Sequence, residues 1–566
     1  MFVQLLPIKG SLKNNLSFKN KIGKSETTQR IIFMVKKSIQ ILLLLFSIGG
    51  LQAQTTYQNP IIRGMNPDPS ICRVGNDYYL VTSTFEYFPG LPIYQSKDLV
   101  NWKMIGYVLS SPTQDPLIGC ESSVGGLYAP TIRYSDGTFY VVCTNYGGQG
   151  SQGSFYVTSK SPIGPWSEPH WVNSWACDPS LLFANDSIYY TFPDDKGHFQ
   201  MATLNLNTGK FNNAPKIIGH GLGASSPEGP HLYKIKDYYY LMSAEGGTGY
   251  EHREVIQRSK SPWGPFEANP HNPIVSHMNN PDNPFQAIGH ADIVETPDGW
   301  WLVCLGIRPK GGNYHHLGRE TFLTPITWDE NGWPKVENKS IVKVELPLPK
   351  LPQHKWEKDS IRDNFNQPSL ALSWNFIRNP HSEDWSLTAH PGFLRLNGSS
   401  KNFKLKDSPT FVGRRQTAFS VSASTKISFS PQKPNEEAGL VVRADDKNHY
   451  DLLITMDKGK RVAMFRQILK GDVVGVHYKE IPEGDVLLCL TATEKAYTFW
   501  IQKEGQPSML LDSAETKYLA TETIGGFTGT YIGMYASGNG FANTNPADFD
   551  WFDYEIDPEK PYDWSK

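Results

Sequence analysis

The chain is patterned as short β-forming runs, rich in β-branched and aromatic residues, each opened by a turn signal. Five of them share one form: RVGNDYYLVTS, RYSDGTFYVVCT, LFANDSIYYTFP, YKIKDYYYLMSA and ETPDGWWLVCLG. The second aromatic of each pair is Tyr79, Tyr140, Tyr190, Tyr240 and Trp301, so successive units lie 61, 50, 50 and 61 residues apart. A second motif follows in phase, as SKDLVNWKMIG, SKSPIGPWSEP and SKSPWGPFEANP, with the variant LNLNTGKFNN in the third unit. Units of this length, β throughout and about four strands each, are the mark of propeller blades. A β-sandwich with coincidental spacing would leave the second motif unexplained. The pattern predicts a five-bladed β-propeller over residues 57–345.

Past the fifth unit the texture changes. Residues 346–358, LPLPKLPQHKWEK, read as a proline-rich linker, extended and stiff. Alternating strands such as STKISFS, AGLVVRAD, YDLLITMD and RVAMFRQIL then predict a β-sandwich over residues 359–560. The fold class expected is all-β.

At the other end the chain reads MVKKSIQILLLLFSIGGLQAQ from Met34. Lys36 and Lys37 precede an apolar core, and Leu51-Gln52-Ala53 ends in a small residue suited to cleavage. Residues 34–53 are expected to be a signal peptide and residues 1–33 an upstream extension. The protein is therefore expected to be exported, either periplasmic or secreted. The formal net charge of −2 comes with dispersed Lys and Arg, and no basic stripe suggests nucleic acid or an anionic membrane as partner. The six cysteines are scattered without metal or disulfide spacing, which favours buried free thiols.

Candidate chemistry comes from the residues ahead of the paired aromatics. At 10 to 12 residues before the second aromatic stand Asp68 in NPDPS, Pro130 in LYAPTIR, Asp178 in CDPSLL, Glu228 in PEGPHL and His290 in GHADIV. That offset puts all five near the start of the innermost strand, at one mouth of the propeller axis. Proline suits such a rigid first position because it fixes φ and removes a donor. One Asp-Pro alone is normally a turn. Three acids in phase on a repeat are a costly gathering of like charge, and function is the usual reason to keep one. Two carboxylates across a pocket serve glycoside hydrolysis, one protonating the leaving oxygen while the other activates water or attacks. A third raises the pKa of the acid.

At these residues the chain resembles glycoside hydrolase family 43, of the β-xylosidase/α-L-arabinofuranosidase type. NPDPS, TSTFEYFPG, APTIRY, DPSLL, EGPHLYK, GGTGY, GHAD and LGRETFL match in order, and the region beyond resembles the family's concanavalin-like accessory sandwich. The resemblance implies that Asp68 is the general base, Glu228 the general acid and Asp178 the residue that tunes and orients it, with inversion of configuration. It further implies that Phe85 and Tyr128 offer faces to the sugar, that Thr248 lies near the acid, and that Arg319 binds hydroxyls. His290 would lie on the axis beneath the sugar, where relatives hold a calcium ion or water; no cofactor is otherwise required. A loop of the sandwich near GGFTGTYIGMYASGNG, with Phe527 as candidate, is expected to cap the pocket and favour exo action. One departure stands out: many xylose-cleaving relatives carry Trp-Ala-Pro where this chain has Tyr128-Ala129-Pro130.

The substrate expected is an oligosaccharide or polysaccharide of the xylan or arabinoxylan kind, with β-xylosidase activity first and α-L-arabinofuranosidase second. Two other readings are an endo-acting hydrolase with an open groove and a non-catalytic carbohydrate-binding protein. Arg319 paired with Glu320 or a rim acid, and Glu86, Asp194, Asp195 and Glu245 as loop or hydrogen-bonding acids, complete the expectations.

Overall fold

Each of the five repeats forms its own antiparallel sheet. In the first, the strands Ser70–Val74, Asp77–Val81, Gly90–Ser96 and Trp102–Leu109 follow one another outward. The other four blades begin with Thr131–Ser135, Ser180–Ala184, Glu228–Ile235 and Gln286–Thr296. Successive first strands pack against one another, and the last returns to Ser70–Val74, which closes the ring. The computed structural model describes residues 55–556 apart from 504, 543 and 544, so the expected extension and signal peptide lie outside the described residues.

The paired aromatics explain why the blades assemble. Their second strands are Asp77–Val81, Thr138–Tyr146, Ser187–Pro193, Tyr238–Glu245 and Gly299–Ile307, and their rings bury between blades. Tyr79 meets Phe139 edge-on at 5.1 Å, Tyr140 meets Phe183 at 4.8 Å, and Tyr189 meets Trp263 at 6.0 Å. Such pairs add to the area they bury. The ends of the propeller are joined by Thr56–Gln58, antiparallel to Glu345–Pro347. Asn59 secures the junction, its side chain bonding both the carbonyl and the amide of Leu323 at 2.9 Å.

The proline-rich segment after residue 347 is extended but not free. Lys350 N donates to Asp298 Oδ2, His354 N to Asp98 Oδ2 and Trp356 Nε1 to the Asn101 carbonyl. It straps the second domain to the fifth and first blades. That domain has a sheet of eight strands, among them Val421–Ser428, Val486–Ala492 and Ala547–Ile556. A sheet of six, including Glu437–Asp445 and Tyr531–Ser537, packs on it. Leu440, Leu452, Leu488, Phe499 and Phe549 lie in their shared core.

The two domains are joined through TSTFEYFPG. Tyr87–Phe88 pairs with Phe376–Ile377 of the sandwich, and Arg378 N donates to the Glu86 carbonyl at 2.7 Å. The Glu86 carboxylate, fully buried, lies 3.3 Å from Nη2 of the equally buried Arg443. Tyr87 and Tyr531 stack at 3.7 Å. Burial pushes the Glu86 carboxyl up, against the pull of Arg443. All six cysteines are free, and only Cys177 is more than slightly exposed.

Removing one member of a buried ion pair strands the other. Arg443→Met should lower stability by about 3–5 kcal/mol, read from the chemical-denaturation midpoint, and Glu86→Gln in the same chain should recover part of it; full stability of the single variant would contradict this account. A second prediction concerns Asp115, which is 3% exposed and whose carboxyl burial pushes up to about 7 against the pull of the Asn145 amide. The native chain keeps a proton there that the unfolded chain loses above about pH 4. The contribution is therefore complete below that pH and lost as pH rises through about 7. Asp115→Asn should flatten the stability curve between these limits, at about 1.4 kcal/mol per pH unit.

Candidate active site

Asp68, Asp178 and His290 all sit in left-handed backbone, at φ 56°, 50° and 49°. Asp68 and Asp178 each precede a proline, which excludes the ordinary helical region, and a left-handed non-glycine residue is a strained conformation kept at functional positions. In the fourth blade the equivalent residue is Gly229, at φ 57°. Glu228 thus precedes the common position by one residue, and the register of its strand shifts between Glu228 and His231. The bulge re-aims the glutamate into the pocket. Glycine is required beside it because a Cβ on residue 229 would come within 2.8 Å of His290 Nε2. Pro130 directly precedes the strand Thr131–Ser135, so the second blade has a proline rather than an acid at this offset.

Asp68 is 5% exposed and surrounded by donors. Ser83 Oγ donates to Oδ2 at 2.5 Å, Arg319 Nη1 to Oδ1 at 3.1 Å, and His290 Nδ1 lies 3.6 Å away. Burial alone would raise this carboxyl, but Arg319, His290 and Ser83 outweigh it and hold Asp68 below the usual carboxylate range. His290 is correspondingly raised: burial disfavours its charge, and Asp68, Asp178 and Glu228 more than restore it.

Asp178 accepts the Gly229 amide at 3.2 Å, so it grips the peptide next to Glu228. Burial pushes it up to about 7; His290 opposes this, and the charges of Glu228 and Asp68 add to it. Glu228 is a quarter exposed, with His252 Nε2 at 3.5 Å and His290 Nδ1 at 4.0 Å. Burial raises it, yet His252 and His290 leave it lowered overall. Of these two carboxyls, then, Asp178 is the one raised and Glu228, the acid that the family resemblance implied, the one lowered.

The expected wall residues gather around this centre. Phe85, itself at φ 51°, lies 5.3 Å from Tyr128 and stacks on Phe527 at 5.7 Å. The Arg319 guanidinium stands 5.6 Å from the Phe85 ring and 5.5 Å from the Phe527 ring, and donates to Thr248 Oγ1 at 3.2 Å. Arg319 pairs with Asp68; Glu320 pairs instead with Arg308. Phe527 reaches the pocket because its loop is held on two sides. Phe527 N donates to the Ser123 carbonyl at 2.8 Å, and Glu522 binds His315. Of the other acids, Glu245 is tied to Arg253 and Asp194 closes a turn with His198, so neither reaches the centre.

Three features were not anticipated. His252 is buried beside Glu228, packed so tightly that a Cβ on Gly289 would come within 2.8 Å of its ring. The sequence GYEHREV carries no signal for it. Ser83 lies in the TSTFEYFPG motif, but only the folded hairpin brings it to Asp68. Below the centre, Asp292 accepts Ser70 Oγ and Tyr233 OH at 2.6 Å and Arg133 Nη1 at 2.8 Å. These partners hold it near 2 despite its burial, which makes it a brace of the axis rather than a proton carrier.

His290 does not suit calcium, which takes six to eight oxygens. Its Nδ1 faces Asp68 and Glu228, and its Nε2 lies against Gly229. Among the described residues no group of three His, Cys, Asp or Glu side chains is placed to hold a metal ion.

Comparison with known proteins agrees with this geometry. Residues 57–334 match Glycosyl hydrolases family 43, and residues 362–555 match the Beta xylosidase C-terminal Concanavalin A-like domain. A non-reducing end α-L-arabinofuranosidase of Bacteroides ovatus is 61% identical over 92% of this chain and 99% of its own length. A β-xylosidase of Bacillus subtilis is 34% identical over 88% of this chain and 99% of its own. A solved Bacteroides ovatus structure, described as belonging to a xyloglucan locus, superposes with a TM-score of 0.87 at 62% identity, covering 88% of this chain and 100% of that one. The chain belongs to glycoside hydrolase family 43 and is a glycosidase built as a five-bladed β-propeller with a concanavalin-like sandwich.

Proposed function

We propose that the protein is an exo-acting, inverting glycosidase that removes single pentoses from non-reducing ends of hemicellulose oligosaccharides, α-L-arabinofuranose first and β-xylose second. The observation that carries this is the division of charge across the pocket. Asp68 is held ionised by Arg319, Ser83 and His290, while Glu228 and Asp178 face it from other blades with a proton between them. In this reading Asp68 takes a proton from water as the water attacks the anomeric carbon. Glu228 gives its proton to the departing oxygen as the glycosidic bond breaks. A separation of about 6.5–9.5 Å between the two carboxyls is expected, to leave room for the water. Filling the pocket strips water from the exposed part of Glu228, which raises its affinity for a proton and moves the proton of the pair onto it. Asp178 then carries the charge and, through Gly229, keeps the acid in place.

Phe85, Tyr128 and Phe527 enclose one ring, which supports release of one sugar from a chain end. The order of substrates rests on the 61% identical arabinofuranosidase, and on the expectation that many xylose-cleaving relatives carry tryptophan where this chain has Tyr128. The β-xylosidases among the relatives keep xylose as the second reading. Export through residues 34–53 would place the protein in the periplasm or outside the cell, where such oligosaccharides are met.

Glu228→Gln should lower turnover of substrates with poor leaving groups by about 10²–10⁴-fold while sugar binding persists; wild-type rates would remove Glu228 from the acid role. The pH profile of kcat/KM should fall above about 7, where the Asp178–Glu228 pair loses its proton, and its acid limb should lie below the usual carboxylate range, where Asp68 protonates. Asp178→Asn deletes a negative neighbour, which lowers the Glu228 pKa. The alkaline limb should therefore move to lower pH, and a limb that stays in place would count against the pairing. Chromatography of the sugars released from arabinose-decorated and linear xylo-oligosaccharides separates the two substrate readings.

A further inference from the structure

The mouth of the pocket is not closed evenly. On the side of the first, second and fifth blades, the sandwich loop around Phe527 is bonded to Ser123 and His315. The fourth blade is tied to the same loop by the Tyr250 hydroxyl, which donates to Glu522 Oε1 at 3.3 Å, whereas no hydrogen bond joins the third blade to the sandwich among the described residues. Three residues before Asp178 stands Trp175, 54% exposed.

Its exposure is imposed by the backbone. Three successive carbonyls are pinned to the second blade: Ser174 O accepts Ser154 N at 2.8 Å, Trp175 O accepts the Tyr146 hydroxyl, and Ala176 O accepts Thr144 Oγ1 at 2.7 Å. The indole edge rests on Gly153, where a Cβ would come within 2.8 Å of Trp175 Cδ2. The glycine, at φ 89°, admits the ring and lets it lie over the loop without burying it. Tyr146 in turn packs on Tyr128 at 4.7 Å, so a run of rings leads from Phe85 through Tyr128 to Tyr146, whose hydroxyl holds the Trp175 carbonyl. A single exposed indole is ordinary on a protein surface. One whose backbone is fixed at three successive carbonyls, three residues from Asp178, is a prepared surface.

We propose that Trp175 is the platform on which the leaving-group sugar stacks, so that the site is built for the end of an oligosaccharide rather than for a small aglycone. This rests on the glycosidase reading above. Sugar rings present an apolar C–H face, and covering an exposed indole with one is favourable in proportion to the area removed from water. Trp175 thereby contributes to which chains are cut without touching the bond that breaks.

The test compares two substrates carrying the same pentose: an oligosaccharide, and the pentosyl fluoride, whose departing fluoride reaches no platform. In Trp175→Ala the ratio of kcat/KM on the oligosaccharide to that on the fluoride should fall about tenfold, through KM, roughly the 1.4 kcal/mol expected of part of a side chain. Trp175→Phe should restore most of the ratio. A ratio unchanged from wild type overturns the platform, as does equal loss on both substrates, which would mark a structural role. If the wild-type protein cleaves the fluoride but no oligosaccharide, the chemistry stands and the platform falls. If it cleaves neither, the glycosidase reading falls with it.

Discussion

The segment Thr84–Pro89 has to satisfy two domains at once, and the site depends on its doing so. Its Glu86 carboxylate is buried against Arg443, its Glu86 carbonyl takes the Arg378 amide, and its Tyr87 stacks on Tyr531, all from the sandwich. A buried carboxylate so costly to strip of its partner makes the domain seam all-or-none. Phe85 is carried between these anchors in left-handed backbone and turned toward the axis. Phe527 meets it from the other domain. The pocket is therefore a product of the seam, since neither domain alone presents both rings.

Electrostatics divides the centre into two unequal halves. Asp68 has Arg319, His290 and Ser83 on it and cannot hold a proton near neutral pH. Asp178 has a backbone amide and little else, and burial leaves it protonated up to about 7. Glu228 is raised by burial but lowered overall by His252 and His290, while a quarter of its side chain stays exposed. A group so balanced responds to the arrival of substrate, whereas one held by an arginine does not. Deeper in the axis, Arg133 neutralises Asp292, so the negative charge that matters is confined to the mouth.

Much of this was legible in the chain. The period of the paired aromatics reflects a real constraint: each blade must bury its rings against the next, so the spacing recurs. The Asp-Pro pairs announced a rigid rim because proline restricts the residue before it. Arg319, Phe85, Tyr128, Thr248 and even Phe527 were assigned through motif resemblance and do converge. His252 was not found, since its importance lies in a packing contact with Gly289 and in a 3.5 Å approach to Glu228 that no local pattern encodes.

By itself, the sequence determined the five blades, the second β domain and which carboxylates stand at the strand starts, because these follow from local periodicity and backbone restriction. Only the tertiary structure decided that Glu228 leaves the common register through a bulge at Gly229, that burial raises Asp178 while the histidines lower Glu228, and that the sandwich loop carrying Phe527 is held at the propeller mouth by Ser123 and His315. Those outcomes depend on distances between segments hundreds of residues apart. Charge and desolvation act through space, and the chain order records neither.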